Sequence, residues 1–178
     1  MLLLAVALPT TGRSAPWWQP QRVLLQAGQA FDPPSVRFAE FAGAAIARDL
    51  RLAGRLGGSV ELYPLLVFNQ TRTDHFTRER VAASALSTLL AFDVGARQAS
   101  WGLRVEAGSG LFYGYRPVPA AGSRFNFYDQ LGARLVHRIA SERAISLGYR
   151  WLHVSNFGLA GSSNPGLSLH TAVAAFDW

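Results

Sequence analysis

Period-two alternation constrains this chain more than any other feature. It is clearest over residues 144–155. Ile145, Leu147, Tyr149, Trp151, His153 and Ser155 take the odd positions, and Ser146, Gly148, Arg150, Leu152 and Val154 the even ones. Successive side chains of a β-strand point to opposite faces. One face here is therefore apolar, turning aromatic, while the other begins small and carries an arginine. Residues 101–111 repeat the pattern, setting Trp101, Leu103, Val105, Ala107 and Leu111 against Gly102, Arg104, Glu106, Gly108 and Gly110. Residues 125–138 set Phe125, Phe127, Leu131, Ala133 and Leu135 against Tyr128, Gln130, Gly132 and Arg134. A water-soluble sandwich would turn its charges to the wet outer face. Here the charges share a face with glycine and the other face is mostly hydrocarbon, which fits lipid outside and a packed polar interior. Arg104 and Glu106 are expected to neutralise each other inside. Asp129 falls on the lipid side of its strand, so a bulge or a headgroup-level position is expected there.

Earlier segments show the same texture less cleanly. Residues 22–31, 35–46, 55–69 and 85–97 are candidate strands, with Glu61 and Asp93 inward, and residues 65–68 are apolar on both faces. The last segment, 167–178, ends on Phe176, Asp177 and Trp178. No stretch approaches the ~18 consecutive apolar residues of a spanning helix. Segments of about ten alternating residues, even in number, are the signature of a transmembrane barrel. The fold class is therefore all-β, an eight-stranded antiparallel transmembrane barrel of the outer-membrane type. Side chains fill a barrel of this size, which excludes a porin. Closure removes the open edge and leaves monomer and homodimer both open. The apolar run 1–8 followed by PTTGRSA is expected to be a signal peptide over 1–15, short of a basic start, with 16–178 forming the single barrel domain.

Composition excludes several function classes. With 49% hydrophobic and 16% charged residues the chain is not disordered. It has no cysteine, so disulfides, thiol chemistry and Cys-ligated metals are excluded. The net charge of +6 comes from 17 basic residues, all arginine, spread singly from Arg13 to Arg150. Nucleic-acid binding needs them clustered on one face. Asp74 and His75 have no third ligand at useful spacing, and no phosphate-binding glycine loop occurs, so no metal or cofactor is expected.

The residues that can do chemistry gather near the C-terminal end. His153 and Ser155 are two apart and share a strand face, the minimum of a serine nucleophile with its base. By spacing alone the favoured reading is two polar residues at the wet end of a strand. The stretch 146–159, SLGYRWLHVSNFGL, with Asn164-Pro165-Gly166 behind it, resembles the PagL family of outer-membrane lipid A 3-O-deacylases. RVEAGSG at 104–110 and FYDQLGA at 127–133 resemble that family's preceding strands. The resemblance is good from Trp101 to Trp178 and rests on length and texture before that.

The resemblance implies an eight-stranded barrel with a hydrolytic site on its lipid-facing surface, cleaving the ester-linked acyl chain at the 3 position of lipid A. Ser155 would be the nucleophile, His153 the general base and Asn156 an oxyanion donor. The family's third member is a glutamate on the last strand, and Ser168 stands at that position. A hydroxyl can orient the histidine but stabilises its cation weakly. Three outcomes follow: a dyad, an acid borrowed from another strand, or an inactive site. The rival is thus a non-catalytic barrel of the same fold with a structural or surface role. A soluble periplasmic lipid-binding barrel is disfavoured by inward Arg104 and Glu106.

With a periplasmic N-terminus the seventh strand runs outward, bringing His153 and Ser155 to the outer leaflet where lipid A resides. Tyr149 and Trp151 below them suit an acyl groove, or equally an interfacial aromatic belt. Arg116 and Arg124 flank Pro117-Val118-Pro119 in an extracellular connection, where they can meet lipid phosphates or simply be solvated.

Overall fold

The computed structural model describes residues 19–30, 39–71, 77–94, 99–141, 143–159 and 166–178. Strands β1 (Arg22–Gln29), β2 (Ala39–Ala53), β3 (Leu56–Thr71), β4 (Arg78–Val94), β5 (Trp101–Gly114), β6 (Phe125–Arg138), β7 (Ala144–Ser155) and β8 (Leu167–Asp177) follow one another round a closed barrel. Every neighbouring pair is antiparallel, and β1 closes on β8. At one end the strands join through residues 54–55, 95–100 and 139–143; at the other through 30–38, 72–77, 115–124 and 156–166. Short turns at one end and longer loops at the other are the polarity of an outer-membrane barrel. The start of β1 and the end of β8 thus mark the periplasmic end. The signal peptide expected over 1–15 lies outside the described residues.

The alternation holds on all three strands where it was clearest. Outward positions expose large apolar side chains, among them Leu25, Leu50, Leu90, Leu103, Leu131 and Leu147. A hydrocarbon surface this continuous belongs against lipid. The strands outrun the segments read from sequence. β2 continues past Ile46 to Ala53, and β4 begins at Arg78 rather than Ala85. About 9–11 residues suffice to span; the added part of β4 turns Arg78 and Arg80 outward, and the added part of β2 mixes Arg48 with the exposed Leu50 and Leu52, so charges interrupt the apolar alternation that marks a strand. Residues 65–68 are apolar on both faces because Leu66 and Phe68 enter the hydrocarbon part of the lumen while Leu65 and Val67 lie on the other face of β3. Its register slips between Tyr63 and Leu66 against β4, and at the matching point against β2, so Leu62 and Leu65 both face out. Pro64, which has no N–H for the ladder, sits at the slip.

The interior is polar only in part. Its periplasmic and middle layers are ionic. Arg150 donates to Glu61 (2.7 and 2.8 Å), to Glu106 (2.6 Å) and to Gln130 (2.8 Å). Arg134 donates to Glu106 and to Ser146. Arg104, expected to pair with Glu106, instead donates to Asp93 (2.8 Å) and Asp49 (3.3 Å) nearer the periplasmic rim. Residues two apart on a strand are separated along it, and a partner on the next strand lies closer. Toward the outer end the lumen is a hydrocarbon core: Phe41, Phe68, Phe112, Leu152, Val154 and Leu169 are buried there, with Val118 of the 115–124 connection buried above. The expectation of a polar interior thus holds for one half of the barrel.

Candidate active site

β7 carries His153 and Ser155 to the outer end of the lipid-facing wall. In register, His153 lies between Asp129 of β6 and Ser168 of β8, and Ser155 lies opposite Phe127. Of the two accommodations expected at Asp129, a bulge or a headgroup-level position, the bulge does not occur. The β5–β6 register is the same on both sides of it, from Gly108 with Gln130 to Leu111 with Phe127. Asp129 therefore faces outward, and its Oδ1 accepts from the Ser109 hydroxyl at 2.5 Å.

The imidazole of His153 is held from two sides. Its Nδ1 is 2.9 Å from Ser168 Oγ. The Trp151 ring stacks on it with centroids 5.5 Å apart and planes 12° apart. Which atoms remain for chemistry is fixed by Gly166. A Cβ built there would lie 2.6 Å from His153 Cε1, 2.9 Å from Nε2 and 3.7 Å from Ser155 Cβ. The Cε1–Nε2 edge and Ser155 thus border the same small space, kept open by a missing side chain. A neutral imidazole with its proton on Nδ1 donates to Ser168 and leaves Nε2 as the base. Ser168 therefore touches the histidine and can fix its tautomer. It brings no charge.

Asn156 is buried and holds the start of the 156–166 connection. Its Nδ2 donates to Ser123 Oγ (3.3 Å), and its Oδ1 accepts from the Gly158 N–H (2.8 Å). Between them Phe157 adopts φ 52° and packs edge-on against Phe127, centroids 5.1 Å apart. A left-handed conformation is uncommon for an aromatic residue and is tolerated here because the Asn156 bond closes the turn. Tyr149 and Trp151 both face outward below His153. Tyr149 Oη lies 2.6 Å from His170 Nδ1. Arg116 is exposed and shares Glu79 at 3.3 Å; Arg124 is exposed at the start of β6. Asp74, His75, Asn164 and Pro165 lie outside the described residues.

Three neighbours of the site escaped sequence reasoning as such. Phe127 and Phe157 are ordinary aromatics until the register sets one opposite Ser155 and the turn folds the other onto it. Asp129 carried a signal, a charge on an apolar face, but its place beside His153 is set by strand pairing.

A family profile described as Lipid A 3-O-deacylase (PagL) matches residues 42–177. Among solved structures the chain is similar to one described as the outer membrane enzyme PagL, with a TM-score of 0.64 and 18% identity, covering 86% of this chain and 97% of that one. No curated protein matches.

Proposed function

The chain belongs to the PagL family of lipid A 3-O-deacylases, and on that premise we propose that Ser155 and His153, steadied by Ser168, carry out the hydrolysis. The protein is an outer-membrane ester hydrolase acting on lipid A. Ser155 Oγ attacks the carbonyl carbon of the 3-position ester while His153 Nε2 takes its proton. The carbonyl oxygen becomes an oxyanion, for which Asn156 beside the nucleophile is the proposed donor. The tetrahedral intermediate collapses, the sugar oxygen leaves with the proton from Nε2, and the acyl group stays on Ser155. Water, deprotonated by the same nitrogen, then releases the fatty acid and restores the serine.

The observation that carries this assignment is the imidazole's placement. Nδ1 is engaged by Ser168 at 2.9 Å, while the opposite edge borders Ser155 in the space left by Gly166. Lipid A reaches such a site by sliding in its own leaflet, because the wall faces lipid rather than the lumen. Tyr149 and Trp151 are proposed to flank the acyl chain, and Arg116 and Arg124 at the outer mouth to meet the phosphates. Every group comes from one barrel, so a monomer suffices.

Refolded protein incubated with lipid A in mixed micelles is expected to release the 3-position hydroxy fatty acid, read by mass spectrometry. Ser155→Ala should lower that release by about 10³-fold or more. A variant that still deacylates at the wild-type rate would sink the assignment of Ser155.

A further inference from the structure

Ser155 ends β7, and Asn156 after it begins a connection that another loop helps to hold. We propose that Ser123, in the 115–124 connection, is a positioning residue for the reaction: its hydroxyl anchors the Asn156 side chain and so fixes the oxyanion donor beside Ser155. The inference rests on the proposed roles of Ser155 and Asn156.

Three observations carry it. First, the Asn156 amide is oriented through both of its polar atoms. Its Oδ1 accepts from the Gly158 N–H at 2.8 Å, so Nδ2 is the atom turned to Ser123 Oγ, to which it donates at 3.3 Å. The first bond closes the turn on itself. The second reaches 33 residues back along the chain and ties the turn to the start of β6. Second, the Ser123 hydroxyl is set to accept. Its single proton goes to the Phe125 carbonyl at 2.5 Å, nearer than Asn126 Oδ1 at 3.1 Å, and its lone pairs face Asn156.

Third, Ser123 stands on a firm base. Its backbone carbonyl accepts from the Val118 N–H (3.1 Å) and from Asn126 Nδ2 (2.8 Å), and the same Asn126 amide donates to the Val118 carbonyl (3.0 Å). Asn126 and Val118 are buried, and Gln70 of β3 donates to the Pro117 carbonyl (2.8 Å). None of these ties uses the Ser123 side chain. Removing the hydroxyl therefore leaves the loop in place and loosens Asn156 alone. An oxyanion donor works only when held where the charge develops. A loosened Asn156 thus costs the chemical step and not the binding of lipid A.

The test measures kcat and KM for 3-position deacylation of lipid A in mixed micelles, on barrels whose refolding is verified by circular dichroism. Ser123→Ala is expected to lower kcat about tenfold with KM unchanged. Its urea unfolding midpoint in lipid vesicles should match wild type. Ser123→Thr, which keeps the hydroxyl, should hold kcat within about threefold of wild type. Asn156→Ala should lower kcat by about 10²-fold. Adding Ser123→Ala to it should change the rate by less than about twofold, because residues that act through one another are not additive. Ser123→Ala with the wild-type kcat, beside an impaired Asn156→Ala, would overturn the inference. So would a further tenfold loss in the Asn156→Ala background, on the order expected of independent sites. A loss that Ser123→Thr shares and that tracks a lowered unfolding midpoint would overturn it too, as the mark of a purely structural role. Failure of the underlying reading shows elsewhere, as an active Ser155→Ala or as Asn156→Ala working at the wild-type rate, whatever Ser123 does.

Discussion

At position 166 the absence of a side chain does chemical service. The Cε1–Nε2 edge of His153 occupies the place a Cβ would take, with Ser155 alongside. An added methyl meets the far end of a side chain rather than backbone, so the imidazole would turn aside and the barrel would stand. Gly166→Ala is therefore expected to cut the deacylation rate by about tenfold or more, since a misplacement of the order of an ångström is costly in a positioned site. Its unfolding midpoint should match wild type. Full activity in the alanine variant would show that the ring does not work from this position. His153 and Ser155 were legible as a pair because period two puts residues i and i+2 on one face. Ser168 was singled out only through the family resemblance. The contact of His153 with Ser168, and the pairing of Asp129 with His153 on the opposite side, depend on strand register, which no local pattern states.

The inner side of β6 and β7 meets the same constraint by pairing large with small. Arg134 lies opposite Gly148, and Arg150 opposite Gly132. A Cβ on Gly148 would lie 2.6 Å from both Cα and Cγ of Arg134, and one on Gly132 would lie 2.6 Å from Arg150 Cγ. Each guanidinium stem thus runs across a glycine to reach Glu106. Gly148→Ala presses on backbone as well as side chain and is expected to destabilise the barrel by about 1–3 kcal/mol. Gly102→Ala is the control, because nothing lies closer than 3.5 Å to its added Cβ. Urea unfolding in lipid vesicles separates them, and equal midpoints would refute the steric account. That these glycines share a face with the charges was readable from the alternation. The far end of β2 and the start of β4 were not, because strand continues there by backbone pairing where charges such as Arg48 and Arg80 interrupt the apolar alternation.

For the molecule as a whole, the two halves of the lumen have different jobs. The hydrocarbon half lies behind the outer wall that carries the site, and the ionic half ties the strands together through the middle. Arg150 is the hub of the second. It is fully buried and joins Glu61 on β3, Glu106 on β5 and Gln130 on β6 to β7. Buried charges are tolerated when paired and hydrogen-bonded, and removing one partner leaves the others stranded. Arg150→Met keeps most of the volume but leaves Glu61 with Tyr63 and Glu106 with Arg134 as their remaining partners. The expected loss is about 3–5 kcal/mol, read as a lower urea midpoint in vesicles. Arg150 sits between Tyr149 and Trp151 in the chain, yet it points inward while they and His153 point to lipid. The variant that remains folded should therefore deacylate lipid A at the wild-type rate. An unchanged midpoint would mean that the ionic layer is not what holds the strands. A folded but inactive variant would mean that the inner face of β7 sets the geometry of the outer one, and the division of labour between the two faces would fall.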